Sequence, residues 1–214
     1  MTTRSTTFIL AGTLGLTACT LPPAHPHPSA PPASGQSLPS SPAGSTTVGS
    51  FDQTLSLQGV SFHVVSANAG SINQLRIEPK GLKGDNAAIQ REIDGTVTLA
   101  EVADLNADGS PEVYVYVTSA GSGSYGSLVA YAVNGGKSMS EIFMPPLQDD
   151  PKASKGYLGH DEFRVVENTL VRRFPVYADK DTNAQPTGGT RQVQYQLKAG
   201  EAGWILKPYR VVNF

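Results

Sequence analysis

Cysteine is almost absent from this chain, since Cys19 is the single one among 214 residues. One thiol cannot form an internal disulfide, a dithiol redox motif or a zinc site built from several thiolates. A packed hydrophobic core must therefore stabilise the protein. The chain after position 50 is long enough for one domain of ordinary size.

Charge is also sparse, because 16 Lys and Arg residues stand against 18 Asp and Glu residues, for a formal net charge of −2. The sequence has no cluster of Lys and Arg, which argues against a nucleic-acid partner. It also lacks a basic amphipathic stretch and any extended helical pattern of apolar residues. These absences leave a chain dominated by strands and turns.

Residues 1–19 resemble a bacterial lipoprotein signal. Arg4 supplies the positive start, and Phe8–Ala18 is an apolar run too short to remain as a membrane-spanning helix. Cys19 follows Leu16, Thr17 and Ala18, as in a lipidation motif. We predict that Cys19 carries a lipid anchor in the envelope of a Gram-negative bacterium, since two or more acyl chains anchor a protein stably. Thr20, rather than Asp, after this cysteine resembles a signal for sorting to the outer membrane. The alternative is that Cys19 is an ordinary small residue after a secretory signal.

Residues 20–50 form a low-complexity segment of Pro, Ala, Ser, Gly and Thr without any Asp, Glu, Lys or Arg. Such a composition cannot bury enough apolar surface to fold, and its prolines favour extended conformations. The segment is predicted to be a disordered tether. His25 and His27 lie within it, and two histidines without a third ligand make a weak metal site.

Residues 51–214 show the alternation of apolar and polar residues that is typical of β-strands. Glu112–Val117 is the clearest strand and pairs naturally with Ser127–Val133 as a hairpin. A second hairpin joins Phe163–Val166 to Leu170–Phe174. These short strands and turns predict an all-β fold, an antiparallel β-sandwich.

Individual side chains can be placed on this pattern. Tyr114 and Tyr116 are two residues apart and should share one face of their strand, whereas Arg172 and Arg173 should lie on opposite faces. Trp204 is the largest candidate for the core. The only helical turn that the sequence allows covers Asp150–Lys155.

A loop rich in oxygen ligands precedes the clearest strand. Asp104, Asn106, Asp108 and Glu112 are spaced around Gly109 in a way that suits Ca²⁺. It is not an EF-hand, because no helices flank it. The other interpretation is a tight turn in which these side chains bond to their own backbone. The first interpretation would suit a Ca²⁺-dependent carbohydrate- or protein-binding lipoprotein.

The loop that follows the same strand, Ser119–Ser127, is rich in Gly and Ser. Its glycines match a dinucleotide fingerprint formally, but a strand and not a helix follows, so no helix terminus could hold a pyrophosphate. Tyr125 offers a rigid ring with a hydroxyl group, which is typical of a binding anchor. A solvated connecting loop is the alternative. An enzyme could combine Ser122 or Ser124 with His160–Glu162, although a structural role of that triplet is favoured.

The stretch from Ala100 to Val133 resembles the periplasmic inhibitors of invertebrate-type (I-type) lysozyme. Similarity continues through the sequences KGYLGHDEF, LVRRFPVY, PTGGTRQVQYQL and GWILKPYRVV. The family carries an S-G-x-Y loop, which is similar to the run Ser122, Gly123, Ser124 and Tyr125.

The resemblance implies how such a protein would act. In the family, this loop enters the substrate cleft of the lysozyme, where its hydroxyls engage the catalytic carboxylates. Ser122 and Tyr125 are then the expected contact residues, and Gly123 permits the loop shape. The resemblance also implies an all-β homodimer that is not an enzyme and needs no cofactor.

Overall fold

The computed structural model describes residues 49–214. The predicted lipoprotein signal with Cys19 and the predicted tether up to residue 48 lie outside the described residues. Within residues 49–214, no helix is both long and apolar enough to cross a membrane.

Residues 49–214 form twelve strands and two short helices, in agreement with the predicted all-β class. The strands are β1 (Phe51–Leu57), β2 (Val60–Ser66), β3 (Ile72–Lys80), β4 (Ile89–Asp94), β5 (Thr96–Ala103), β6 (Glu112–Thr118), β7 (Gly126–Asn134), β8 (Ser138–Phe143), β9 (Glu162–Val166), β10 (Thr169–Pro175), β11 (Thr190–Ala199) and β12 (Trp204–Asn213). A 3₁₀ turn at Leu147–Asp149 and the helix α1 (Pro151–Ser154) stand between β8 and β9.

The strands make two sheets. The first has the order β1-β2-β3-β4, and the second has the order β5-β6-β7-β8-β12-β11-β10-β9. Neighbouring strands are antiparallel, apart from a short parallel pairing of β8 with β12 at Ile142 and Trp204. The predicted hairpins β6–β7 and β9–β10 are confirmed.

Strand β6 is buried on both faces. Val113, Val115 and Val117 pack into a core beneath the four-stranded sheet, together with residues such as Phe62, Val64, Leu75 and Ile77. Tyr114 and Tyr116 point into a second core on the other face, as their spacing predicts. This strand therefore forms the wall between the two cores.

The second core lies between the two halves of the eight-stranded sheet, because β6, β7 and β10–β12 all contribute to it. Glu101 links the two ends of this sheet: its Oε2 accepts the Tyr116 hydroxyl at 2.6 Å and the Val165 amide at 2.9 Å. The Tyr116 and Phe163 rings also stack, with centroids 5.6 Å apart. The sheet is thus curved strongly enough to bring β5 and β9 together.

Two local predictions concern the helical turn at Asp150–Lys155 and the burial of Trp204. The predicted turn at Asp150–Lys155 contains α1, and the Asp150 side chain caps this helix by accepting the Lys152 and Ala153 amides at 3.0 Å. Trp204 is only half-buried, and its indole N–H donates to Asn134 Oδ1 at 3.0 Å. Four other aromatic residues are more deeply buried than Trp204, namely Tyr114, Tyr195, Phe62 and Phe174.

Candidate partner-binding site

The loop between β6 and β7 has a defined backbone shape. The Ser119 amide donates to the Tyr125 carbonyl at 2.9 Å, and the Tyr125 amide donates to Ser119 Oγ at 3.0 Å. Within the loop, the Ser124 amide donates to the Gly121 carbonyl at 2.9 Å, and Ser124 has a positive φ of 42°. These hydrogen bonds order the backbone of the loop.

Residues distant in sequence also hold the loop. The carbonyl of Gly123 accepts the amide of His160 at 2.7 Å, and the carbonyl of Ser122 accepts Asn183 Nδ2 at 2.8 Å. Gly159 has a φ of 96°, and a Cβ atom at that position would overlap the Gly123 carbonyl oxygen. The loop therefore depends on two later segments of the chain.

The Tyr125 ring is displayed on this support. Tyr125 is 47% exposed, and its ring meets the Tyr157 ring edge-to-face with the centroids 5.7 Å apart. A Cβ atom on Gly123 would collide with the Tyr125 ring, so a side chain at position 123 would displace it. Ser122 is exposed on the same loop. The four predicted residues therefore form one surface, in which Gly123 leaves room for the aromatic ring.

An ion pair lies beneath this surface. Asp161 Oδ1 accepts Arg172 Nε at 2.6 Å, and the Asp161 and Arg172 side chains are 0% and 7% exposed. Arg172 Nη2 also donates to the Tyr157 hydroxyl at 2.7 Å, and its guanidinium lies 5.0 Å from the Tyr157 ring centroid. Arg173 is exposed, so the predicted split of the two arginines is confirmed. Sequence reasoning did not find the pairing of Asp161 with Arg172.

His160 and Asp161, two members of the triplet His160–Glu162, make contacts within the fold. The Asp161 carboxylate is occupied by hydrogen-bond donors, and His160 Nε2 lies 3.3 Å from Asn183 Oδ1. The His160 ring is also stacked on Tyr177. These contacts agree with the structural role that the sequence favoured over a catalytic role with Ser122 or Ser124.

At the other end of β6, the Asp104–Glu112 loop directs its side chains to its own backbone. Asp104 accepts the amides of Asp108 at 3.0 Å and Gly109 at 2.9 Å, and Asp108 accepts the Ser110 amide at 2.8 Å. Within residues 49–214, no group of three or more His, Cys, Asp or Glu residues could hold a metal ion. The geometry matches the predicted turn, and a Ca²⁺ site at Asp104, Asn106, Asp108 and Glu112 stays a prediction.

Glu112 should make the stability of the protein depend on pH. Burial raises its pKa from 4.5 to about 7, against the opposing hydrogen bonds from the Leu105 amide and the Tyr114 hydroxyl. The folded state then binds a proton on Glu112 more tightly than the unfolded chain does. The contribution of Glu112 to stability is therefore fully present below about pH 4.5 and is lost as pH rises through 7. We expect Glu112→Gln to flatten this dependence in thermal melts between pH 4 and pH 8.

The exposed Glu201 provides the control for that measurement, because Glu201→Gln removes a carboxylate that the fold does not bury. The Glu201 variant should retain the pH dependence of the wild type. An unchanged slope in the Glu112 variant would show that this carboxyl does not cause it.

The sequence model of the family described as periplasmic lysozyme inhibitor of I-type lysozyme matches residues 43–155. The matched span contains β1–β8 and the loop that bears Tyr125, and it ends before Tyr157, Asp161 and Arg172. No curated protein and no solved structure matches the chain.

Proposed function

Because the chain belongs to the family of periplasmic inhibitors of I-type lysozyme, we propose that its Ser119–Tyr125 loop blocks the substrate cleft of such a lysozyme. Ser122 and Tyr125 would make the central contacts in this proposal. One observation carries it: an exposed serine and a half-exposed tyrosine stand side by side on a loop whose backbone is fixed from two directions.

The chemistry of the side chains suits this target. A lysozyme cleft contains one protonated acid and one carboxylate. The hydroxyl groups of Ser122 and Tyr125 can bond to both without burying a new charge, which would be costly. Because such an inhibitor acts by occupying the cleft, it needs no catalytic group or cofactor of its own.

The shape of the loop before binding supports affinity as well. Binding is weakened when flexible side chains and loops have to be immobilised in the interface, and a loop that is already ordered avoids this cost. The hydrogen bonds of Ser119, Gly121 and Gly123 are all made within the free protein. The Tyr125 ring adds a large contact area with few rotatable bonds.

Placement in the cell is part of the same proposal. The family is periplasmic by description, and a lipid on Cys19 would hold the inhibitor at a membrane of the envelope, with residues 20–50 as the tether. This position would place the loop where a lysozyme reaches the cell wall. The homodimer that the resemblance implies is likewise part of the proposal.

The test measures lysozyme inhibition by the chain that begins at Gly49, because this segment contains both cores. Ser122→Ala/Tyr125→Ala is compared with the control pair Ser138→Ala/Tyr209→Ala, which removes a serine on β8 and an exposed tyrosine on β12. Removal of central anchor side chains commonly costs about 2 kcal/mol or more, so we expect the inhibition constant for an I-type lysozyme to rise at least about 30-fold.

Three outcomes separate the parts of the proposal. No inhibition by the folded wild-type domain would reject lysozyme inhibition. Inhibition that survives in the Ser122/Tyr125 variant would keep the function and reject this loop as the site. Loss of inhibition on addition of a calcium chelator would favour the Ca²⁺-dependent alternative. We expect a chelator to leave inhibition unchanged. Chicken-type and goose-type lysozymes serve as comparators for target preference.

A further inference from the structure

One buried carboxylate connects three segments that meet under the loop. Asp161 Oδ2 accepts the Gly126 amide at 2.7 Å and the Tyr157 hydroxyl at 2.5 Å, while Oδ1 accepts Arg172 Nε at 2.6 Å. Gly126 begins β7, Tyr157 follows α1, and Arg172 lies in β10. Asp161 thus uses both oxygen atoms to tie these three segments together.

Two of these three partners flank Tyr125. Gly126 is the next residue in the chain, so the hydrogen bond from its amide fixes the backbone directly after Tyr125. Tyr157 is the ring that Tyr125 meets edge-to-face. Asp161 therefore acts on Tyr125 through the backbone and through its packing partner.

The fit at this point is close. A Cβ atom on Gly126 would come within 2.5 Å of Asp161 Cβ and 2.8 Å of Phe163 Cε2. The strand can approach the carboxylate because residue 126 has no side chain. The arrangement leaves the Gly126 backbone little freedom to shift while Asp161 stays in place.

We infer that Asp161 is a positioning residue for the inhibitory loop, and that it holds Tyr125 in its binding orientation through Gly126 and Tyr157. This inference rests on the proposed function. A carboxylate accepts stronger hydrogen bonds than a neutral group does, and Arg172 compensates its buried charge. Without that charge, the loop would have to be ordered when the lysozyme binds, which weakens binding.

Asp161→Asn tests this role because it keeps the size of the side chain and removes its charge. We expect the inhibition constant for an I-type lysozyme to rise at least about tenfold, the effect of ordering one or two side chains on binding. We also expect faster hydrogen exchange at the Gly126 amide, with unchanged exchange at Val129 in the buried part of β7.

Glu101→Gln is the matched control. Glu101 also accepts two hydrogen bonds, from Tyr116 in β6 and Val165 in β9, and it makes no hydrogen bond to the loop. If Asp161 contributed only general stability, both variants would affect inhibition in proportion to their losses of melting temperature. A positioning role predicts that only the Asp161 variant weakens inhibition.

Tyr157→Phe keeps the test decisive if Asp161→Asn does not fold. This change removes the hydroxyl that donates to Asp161 and accepts from Arg172 Nη2, and it leaves the Asp161–Arg172 contact through Nε in place. We expect a smaller rise of the inhibition constant and faster exchange at Gly126. Unchanged inhibition and unchanged exchange in this variant would overturn the inference.

The results also distinguish this inference from the proposed function. If Ser122→Ala/Tyr125→Ala abolishes inhibition and Asp161→Asn does not weaken it, the positioning role is wrong and the proposed site stands. If the Ser122/Tyr125 variant inhibits as well as the wild type, the proposed site is wrong, and the inference that depends on it falls too.

Discussion

Replacing Arg172 by alanine should lower the free energy of unfolding by about 3–5 kcal/mol, because the substitution leaves the buried carboxylate of Asp161 without its counter-charge. The guanidinium also packs against the rings of Tyr157 and Phe163, at 5.0 and 5.3 Å from their centroids, and this packing is lost too. Denaturant unfolding at neutral pH measures the effect.

The neighbouring Arg173 is a control of the same residue type in the same strand. It is exposed and bonds to Gln192 across the β10–β11 pair. Gln192 is neutral, so Arg173→Ala leaves no unpaired charge, and one such hydrogen bond contributes about 0.5–1.5 kcal/mol to stability. Arg173→Ala should therefore cost less than Arg172→Ala. Equal losses from the two substitutions would contradict a buried ion pair at Arg172. Asp161→Ala combined with Arg172→Ala should recover part of the loss, since the unpaired charge disappears.

Gly159→Ala should weaken lysozyme inhibition at least about tenfold while both cores stay folded. A methyl group at residue 159 would overlap the Gly123 carbonyl oxygen, which also accepts the His160 amide. The loop must therefore shift, and binding weakens because hydrogen bonds tolerate only a narrow range of distances and a displaced loop is no longer ordered for its partner. Inhibition constants and thermal melts measure the two effects separately.

Gly59→Ala is the control for the backbone strain in this experiment. Gly59 also has a positive φ, of 80°, but a Cβ atom there meets nothing within 4 Å. It should lose stability of the order of 1 kcal/mol and keep full inhibition. Normal inhibition by the Gly159 variant would show that the Gly123 carbonyl is not needed in its observed position.

Local patterns in the sequence were sufficient for much of the fold. The alternation in Glu112–Val117 and the turn residues near it predicted the β6–β7 hairpin, and the spacing of Tyr114 and Tyr116 placed both rings on one face. The order of the eight-stranded sheet was not predictable in this way. Its β8–β12 contact joins Ile142 to Trp204, and no short-range pattern encodes a pairing between residues so far apart.

The candidate site was predictable only in part, because some of its residues are close together in the sequence and others are not. The run Ser122–Tyr125 is contiguous, so a family resemblance could identify it. Its supports at Tyr157, Asp161 and Asn183 come from other segments and meet it only through the curvature of the sheet. Side chains alternate along a strand, so the sequence showed that Arg172 and Arg173 face opposite ways. Which of the two arginines is buried depends on the register of β10 between β9 and β11.

The dependence of the loop on His160 and Asn183 limits how this site can be transplanted. A graft of Ser119–Tyr125 onto an unrelated hairpin would carry the two closing hydrogen bonds between Ser119 and Tyr125. It would leave behind the donors to the Ser122 and Gly123 carbonyls and the ring beneath Tyr125. The smallest portable unit is therefore a set of three chain segments, and a designed mimic has to reproduce all three.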